Sequence, residues 1–339
     1  MNLLVPPSQR ETAPDPIALA RRWLDQYGTA ALATVVSTWG SAPVPVGGQL
    51  VVGPDDRFEG SVSGGCVEGD VIVEAAAAMA DQGTRLLAFG VSEETAWRAG
   101  LPCGGEIKVL LEPLTLADDA ADLDRILAAR RDRRLITVVT NTTTGARRLY
   151  EPGKDTLREV AADVGVGECR LIDTPHGSVF VQSMAPPVRV IIAGATNIGQ
   201  VLAGLARQIG YDVVVVDPRA GFLTEERFAD IAGHVAWPGA SLAALGLDVR
   251  TAVVALTHAS HIDDEALSAA LRSQCLYIGA LGSRTTHAKR LERLKAAGFT
   301  DADLARIAAP VGLNIGAKGP AEIAVSILAQ IIQVARGAQ

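Results

Sequence analysis

The apolar positions of this 339-residue chain change their spacing near residue 187. Beyond that point, short continuous runs of Val, Ile and Leu are separated by segments with helical periodicity. The runs cover 188–193, 211–216, 251–257 and 276–281. Because strands that are buried on both faces read as continuous apolar runs, this half is predicted to be an α/β domain with a doubly wound parallel sheet.

The first half has a different pattern, in which strands and helices do not alternate regularly. Helices are predicted over 17–26, 68–81, 93–98 and 116–131, and strands over 30–38, 49–52, 59–63, 85–89, 106–111, 135–140, 147–150 and 179–184. This order predicts an α+β domain with a mixed sheet. Pro186 and Pro187 mark a boundary, which gives predicted domains over 1–187 and 188–339.

Charge and composition narrow the class of protein. The formal net charge is −7, and no run of Lys and Arg alternates with aromatic residues, so nucleic acid is not an expected partner. No apolar stretch approaches the roughly 20 residues that span a bilayer. The first residues are too polar and too rich in proline for a signal peptide. We therefore expect a cytoplasmic protein without a membrane span.

The four cysteines are too few and too scattered for a disulfide scaffold. They form no C-x-x-C pair, which argues against a structural zinc site. Cys169 and Cys275 stand in strand-like contexts and are predicted to be buried as small apolar side chains. The other two cysteines stand beside glycines and are the candidates for chemistry.

The first of these cysteines is Cys66, in the glycine-rich segment GSVSGGCVEGD that directly precedes a predicted helix. Gly64 and Gly65 allow backbone amides to approach a ligand closely, and the start of a helix carries partial positive charge. The setting therefore suits an anion or a thiolate. The alternative is that Cys66 is simply a small residue in a tight turn.

The second is Cys103, which is followed by Gly104 and Gly105 and then by a predicted strand. Two glycine-flanked cysteines in one half of a chain suggest a common role. Glycine amides are suited to a bound anion such as a phosphate, as at the first cysteine. A purely structural turn is again the alternative.

The second half carries a Rossmann-like fingerprint with one departure. The first strand leads into Gly194, Thr196, Asn197 and Gly199, and Thr196 replaces the middle glycine that lets a pyrophosphate approach the backbone. Asp217 ends the second strand, where a ribose-binding acid is expected. The departure argues against conventional NAD(P) use. It favours a modified nucleotide or phosphate site, or a purely structural Rossmann domain.

Further groups are expected at the carboxyl edge of the parallel sheet, where doubly wound folds bind ligands. Ser283 and Arg284 follow the fourth strand and precede a helix, which suggests an anion cradle. Lys318 stands in a similar position before the last helix, with a solvated lysine as the alternative. The residues His258, His261, Asp263 and Asp264 could bind a metal, but flexible edge residues are the favoured interpretation.

Taken together, these motifs resemble the XdhC/CoxI family of accessory factors for molybdenum hydroxylases, over nearly the whole chain. The matching segments are GSAPVPVGGQLVV, GSVSGGCVEGD, FGVSEETAW, LPCGGEIKVLLEPL, VVVVDPRAGF, LTH, YIGALGSRTTHAKRLERL and APVGLNIGAKGPAEIAVSIL. The segments GSVSGGCVEG and WGSAPVPVG resemble the CoxI branch more closely than XdhC proper. Thr196 departs from the intact G-x-G-x-x-G of many XdhC sequences.

The resemblance implies a chaperone for the molybdenum cofactor, either molybdopterin or molybdopterin cytosine dinucleotide, which is carried rather than used. Such a protein protects the cofactor while a cysteine desulfurase installs the terminal sulfur, and then inserts it into an apo-molybdenum hydroxylase. It has no turnover of its own. A molybdopterin cytidylyltransferase is a further implied partner, and a homodimer is plausible. The resemblance assigns the cofactor-binding role to Cys66 and Cys103.

Two alternatives remain at this point. One is an NAD(P)-dependent oxidoreductase that uses the Rossmann-like domain. The other is a scaffold that docks the apo-hydroxylase without binding the cofactor.

Overall fold

The structure is a computed structural model that describes residues 15–40, 42–91, 105–152 and 164–337. The described chain divides into two compact units, and the division falls between Pro186 and Pro187. Among the described helices, none has the length and apolar character to cross a bilayer.

The first unit contains three helices and nine strands among its described residues. The helices are α1 (Pro16–Tyr27), α2 (Glu68–Asp81) and α3 (Leu116–Arg131). The strands are β1 (Thr29–Gly40), β2 (Gln49–Val52), β3 (Phe58–Gly60), β4 (Arg85–Val91), β5 (Gly105–Thr115), β6 (Ile136–Asn141), β7 (Arg147–Tyr150), β8 (Cys169–Thr174) and β9 (Gly177–Met184). The periodic segments of the sequence are confirmed as elements of the predicted type, while the helix predicted over 93–98 lies outside the described residues.

Strands β1 to β5 form one sheet in the order β3-β2-β1-β5-β4, and β6 to β9 form another in the order β7-β6-β9-β8. Every strand pair described in this unit is antiparallel. The expected mixed sheet is thus replaced by two antiparallel sheets. Hydrophobic periodicity shows which residues form strands, but strand direction depends on pairings that it does not encode.

The five-stranded sheet is covered on both faces. Successive side chains of a strand point to opposite faces of the sheet, so alternate residues of β1 lie on opposite faces. Ala30 and Leu32 pack with α1 and α3, whereas Ala31 and Ala33 pack with α2. Helix α2 is rich in alanine, so it lies close to the sheet, and its first turn is held at one end of β1.

The second unit is the predicted doubly wound domain. Its helices are α4 (Asn197–Gln208), α5 (Pro238–Leu245), α6 (Ser260–Leu271), α7 (Arg284–Ala296), α8 (Asp301–Leu304) and α9 (Pro320–Ala335). Its strands are β10 (Arg189–Ala193), β11 (Asp212–Val216), β12 (Ala232–His234), β13 (Thr251–Ala255), β14 (Tyr277–Ala280) and β15 (Ile307–Ala308). The order β12-β11-β10-β13-β14-β15 is parallel throughout.

This strand order is the Rossmann order, so the predicted fold class is confirmed. Helices α4 and α9 pack on one face of the sheet, and α5, α6 and α7 pack on the other. The chain reverses its direction of travel across the sheet between β10 and β13. Loops at the carboxyl ends of these two strands therefore border the crevice in which such sheets bind ligands.

Candidate functional site

Cys66 lies in a turn that connects β3 to α2. Gly64 and Gly65 have φ values of 81° and 114°, in the region that favours glycine, and they reverse the chain just before the helix. The Cys66 side chain is exposed, and its backbone amide donates to Ser63 Oγ at 2.9 Å. The thiol is thus presented to solvent at the start of a 14-residue helix.

The inside of this turn is filled by the carboxylate of Glu68, the first residue of α2. Glu68 is only 8% exposed, and its two oxygens accept six hydrogen bonds from the turn. The donors are the hydroxyls of Ser61 and Ser63 and the backbone amides of Val62, Ser63, Gly64 and Gly65. The loop therefore contains its own anion.

The electrostatics of Glu68 follow from these bonds. Burial alone would raise its pKa, but the hydrogen bonds from Ser61 and Ser63 outweigh burial and lower the pKa to about 2. The carboxylate is consequently charged at all physiological pH values. It fixes the conformation of the turn that carries Cys66.

This arrangement corrects one expectation about the two glycines. The amides of Gly64 and Gly65 were predicted to face a phosphate, yet both donate to Glu68, at 3.2 and 2.9 Å. An internal carboxylate occupies the positions that an anionic ligand would take. The contribution of these glycines to a site is the shape of the turn, and Gly65 has open space where a side chain would stand.

The second cysteine turn falls only partly within the described residues. Cys103 and Gly104 lie outside them, whereas Gly105 begins β5 and pairs with Gly40 at the end of β1. The Cys66 turn lies at this same end of the sheet, because β3 runs in the direction of β1 and Gly64 packs against Pro43. The described residues that flank the two glycine-rich turns thus lie towards the same end of the sheet.

In the second unit, the turn between β10 and α4 uses Thr196 as the helix cap. Thr196 Oγ1 accepts from the amide of Gly199 at 3.2 Å, so one amide that a bound pyrophosphate would use already has an acceptor. A side chain at Gly199 would collide with the carbonyl oxygen of Gly194, which explains the glycine there. Asn197 Oδ1 accepts from Arg227 at 3.4 Å.

Asp217, the predicted ribose-binding acid, is fully buried. Its Oδ1 accepts from the amide and Nε of Arg219, both at 2.9 Å, and its Oδ2 accepts from Arg219 Nη2 at 2.7 Å and from the Ala195 amide at 2.8 Å. Burial alone would raise the pKa of Asp217, but the bonds from Arg219 and Ala195 lower it overall. Both oxygens are engaged within the protein, so the acid does not fit the ribose role that the fold implies.

A cavity of about 460 Å³ lies where α4 and α9 begin. Its lining includes Thr196, Asn197, Phe222, Arg227, His258 and Pro320. Two helix starts and a guanidinium at one cavity favour an anionic group. Lys318 is exposed in the turn before α9, and its amide donates to Glu322 at 2.5 Å.

The remaining predicted groups are placed around the next loops of the sheet. Ser283 caps α7 by accepting from the Thr286 amide at 3.2 Å, and Arg284 is exposed at the first position of that helix. Asp263, expected to be a flexible edge residue, is instead buried and lies 3.7 Å from Arg290. Within the described ranges, no group of three or more His, Cys, Asp and Glu side chains could hold a metal ion.

Comparison with known proteins agrees with these motifs. Residues 23–90 match the model of the XdhC and CoxI family, and residues 190–331 match the XdhC Rossmann domain. The molybdenum cofactor insertion chaperone PaoD of Escherichia coli (strain K12) is 31% identical over 309 residues, which are 90% of this chain and 83% of PaoD. The chain belongs to the XdhC and CoxI family.

Two further similar proteins cover more than nine-tenths of this XdhC and CoxI family member. A probable xanthine dehydrogenase subunit from Bacillus subtilis (strain 168) is 30% identical, over 91% of this chain and 94% of that protein. The crystal structure of a xanthine dehydrogenase from Bacillus halodurans aligns with a TM-score of 0.77 and 27% identity, over 96% of this chain and 97% of the other. The similarity therefore includes both units.

Sequence reasoning missed three side chains that shape these sites in the XdhC and CoxI fold. Glu68 belongs to the segment GSVSGGCVEGD. An acid in the first turn of the helix, after two serines, is the sequence pattern that could have indicated its role in holding the turn. Arg219 stands two residues after Asp217, a spacing that permits a forked ion pair. Arg290 gave no signal, because its partner Asp263 is distant in the sequence.

Because the Asp217 carboxylate already accepts hydrogen bonds from Arg219 and Ala195, we expect nicotinamide nucleotides to bind weakly. In calorimetric titrations, NAD and NADP should show no saturable binding below about 1 mM, because the ribose hydroxyls find no free acceptor at Asp217. The variant Arg219→Ala removes the side chain that engages this acid and should bind NAD more tightly than the unmodified protein. Tight NAD binding by the unmodified protein would contradict this prediction.

Proposed function

We propose that this protein binds the molybdenum cofactor and inserts it into a molybdenum hydroxylase of the xanthine dehydrogenase family. The observation that carries the proposal is the similarity to PaoD, a molybdenum cofactor insertion chaperone, over 90% of this chain. The name of the Bacillus subtilis relative, a probable xanthine dehydrogenase subunit, supports the class of enzyme that is served. Maturation rather than turnover of a substrate is the role in this proposal.

The chemistry of the exposed Cys66 fits a contact with this cofactor. When bound, the cofactor would supply a soft metal centre with a sulfur ligand, for which a cysteine thiolate is a suitable donor. Cys66 stands just before α2, at the end of the helix that carries partial positive charge. The buried Glu68 carboxylate holds the turn, so the thiol is presented without an ordering cost on binding.

The predicted partner of Cys66 is Cys103. Its neighbour Gly105 starts β5 at the same end of the sheet as the Cys66 turn, which supports a joint site. In this proposal the two thiols contact the molybdenum atom or its terminal sulfur while a cysteine desulfurase acts. Protection during sulfuration, and exchange with a molybdopterin cytidylyltransferase, are further parts of the same proposal.

The amides of the Cys66 turn are not assigned to a phosphate of the cofactor, because they already bind Glu68. The cavity at the starts of α4 and α9 has the appropriate charge, with Arg227 in its lining. Asn197 and Thr196, predicted as cofactor-binding residues, line the same cavity. We assign this cavity to an anionic group of a ligand that the second unit binds.

Two measurements test the proposal. The protein should be purified from cells that synthesise the cofactor, and mass spectrometry should identify molybdopterin or its cytosine dinucleotide among the copurifying molecules. The loaded protein should then restore activity to a purified apo-hydroxylase, and protein purified from cells that do not make the cofactor should fail to do so. Docking to the hydroxylase at equal strength with and without the cofactor, together with no copurifying pterin, would instead indicate a scaffold.

A further inference from the structure

Arg290, on helix α7, is one of the most deeply buried charges of the second unit. Its side chain is only 3% exposed and lies under the turn that joins β14 to α7, with Nη2 donating to the carbonyl of Leu281 at 2.8 Å. Side chains of a helix lean towards its amino terminus, so the guanidinium of Arg290 points to the start of its own helix. The same Nη2 lies 3.7 Å from Asp263 Oδ2.

Two donor nitrogens of this guanidinium, Nε and Nη1, are buried and have no hydrogen-bond acceptor among the residues that the structure describes. An arginine keeps its charge in proteins, so these donors cannot be removed by deprotonation. Buried polar groups in native proteins nearly always have partners. The unused donors of Arg290 therefore point to an acceptor that is not part of this chain.

The position above Arg290 is shaped by Gly282. A Cβ built at Gly282 would lie 3.1 Å from Thr286 Cγ2 and 3.8 Å from Arg290 Nη2. Any side chain there would therefore fill the space between the turn and the guanidinium. Immediately after it, Ser283 caps α7, a helix of 13 residues, and the amides of Arg284 and Thr285 have no acceptor within the helix.

The local charges favour an anion. Asp263 is the nearest acid, but its Oδ1 already accepts from the amide and hydroxyl of Thr257, at 3.1 and 2.6 Å. The negative charge of Asp263 balances the positive charge of Arg290. The partial positive charge at the start of α7 and the charge of the exposed Arg284 are then in excess. His287, on the same helix, also has a buried Nδ1 for which the described residues supply no hydrogen-bond partner.

We propose that the turn over 281–285 and the guanidinium of Arg290 form a binding site for a phosphate group. The phosphate oxygens would accept from the amides of Arg284 and Thr285 on one side and, on the other, from the unused donors of the Arg290 guanidinium, which approaches Gly282 at Nη2. Donors that converge from several directions suit a tetrahedral oxyanion. This site goes beyond the proposed function, since it holds for any phosphate-bearing ligand of the Rossmann unit.

Backbone amide shifts provide a local test on the full-length chain. Titration with pyrophosphate should move the amide signals of Arg284 and Thr285 in a saturable manner. In Arg284→Pro one amide donor is lost, and the fold should persist because proline suits the first helical position and Ser283 already has φ −70° and ψ 165°. Pyrophosphate affinity at this turn should fall at least about tenfold relative to Arg284→Gln, which loses only the charge.

A second variant tests the role of the buried guanidinium. The double substitution Arg290→Gln with Asp263→Asn removes both charges together, so neither is left alone in the interior. It should also weaken pyrophosphate binding at the turn by about tenfold or more. Arg293→Gln, an exposed arginine on the same helix paired with Asp264, is the matched control and should bind normally. Absence of shifts at 284 and 285, or equal binding by all variants, would overturn the proposal.

Discussion

Replacing Cys66 with alanine should weaken binding of the molybdenum cofactor by at least about tenfold while leaving the fold intact. The thiol is exposed and the turn is held by Glu68, so the substitution removes a donor atom without disturbing the packing of the chain. Binding is measured by the amount of pterin that co-elutes with the purified protein. Circular dichroism and thermal unfolding of the same samples verify the fold.

Cys169→Ala provides the matched control in the same unit. Its thiol is partly buried against Gly47, and burial raises the pKa of Cys169 to about 11, so it stays protonated and is a poor metal donor. Cofactor binding by Cys169→Ala should therefore equal that of the unmodified protein.

Cys103→Ala should behave like Cys66→Ala if the two thiols share the cofactor. Full binding by Cys66→Ala would refute the assignment of Cys66, although the chaperone role could still hold.

Replacing Glu68 with glutamine should lower the free energy of unfolding by about 3 kcal/mol. The charged carboxylate accepts from hydroxyls and amides on all sides, whereas the glutamine side chain has only one acceptor oxygen and brings an NH₂ group against donors. Urea unfolding measures the change. Asp70→Asn, at an exposed position of the same helical turn, should stay within about 0.5 kcal/mol of the unmodified protein.

The same carboxylate predicts a dependence of stability on pH. The pKa of Glu68 is near 2 when folded and near its ordinary value of 4.5 when unfolded, so the folded state binds fewer protons between these values. Its contribution is complete above pH 4.5 and is lost as the pH falls towards 2. Glu68→Gln should therefore lose less stability than the unmodified protein between pH 5 and pH 3. Parallel pH profiles for the two proteins would show that Glu68 does not titrate in this range.

Two measurements separate the roles of two residues in one short segment. The cofactor affinity of Cys66→Ala reports on ligand binding, and the free energy of unfolding of Glu68→Gln reports on the stability of the turn. Cys66 is exposed and binds nothing within the turn through its side chain, while Glu68 binds the turn and is hidden from solvent. A loop that supplied glycine amides to a phosphate would need those amides free. Here the internal carboxylate uses the amides of Gly64 and Gly65, so these two amides are not free for an anionic ligand.

The sequence by itself determined the fold class of the second unit and its four longest strands. Continuous apolar runs such as 188–193 must be buried on both faces, and right-handed connections through helices leave few arrangements other than a parallel sheet. Motifs in a fixed order likewise indicated the XdhC and CoxI family, which the comparisons confirm. Short strands such as β12 and β15 escaped notice, because three residues or fewer carry no periodic signal.

The tertiary structure decided which polar groups are free and which already have partners. A glycine-rich turn has the same sequence whether its amides are free or bound to a side chain of the protein. An acid after a strand likewise has the same sequence whether its oxygens are free or already bonded. Glu68 fills the first and Arg219 engages the second, at Asp217, while Arg290 keeps two buried donors unused. Hydrogen-bond partners depend on distances of about 3 Å between atoms, and only the folded chain sets those distances.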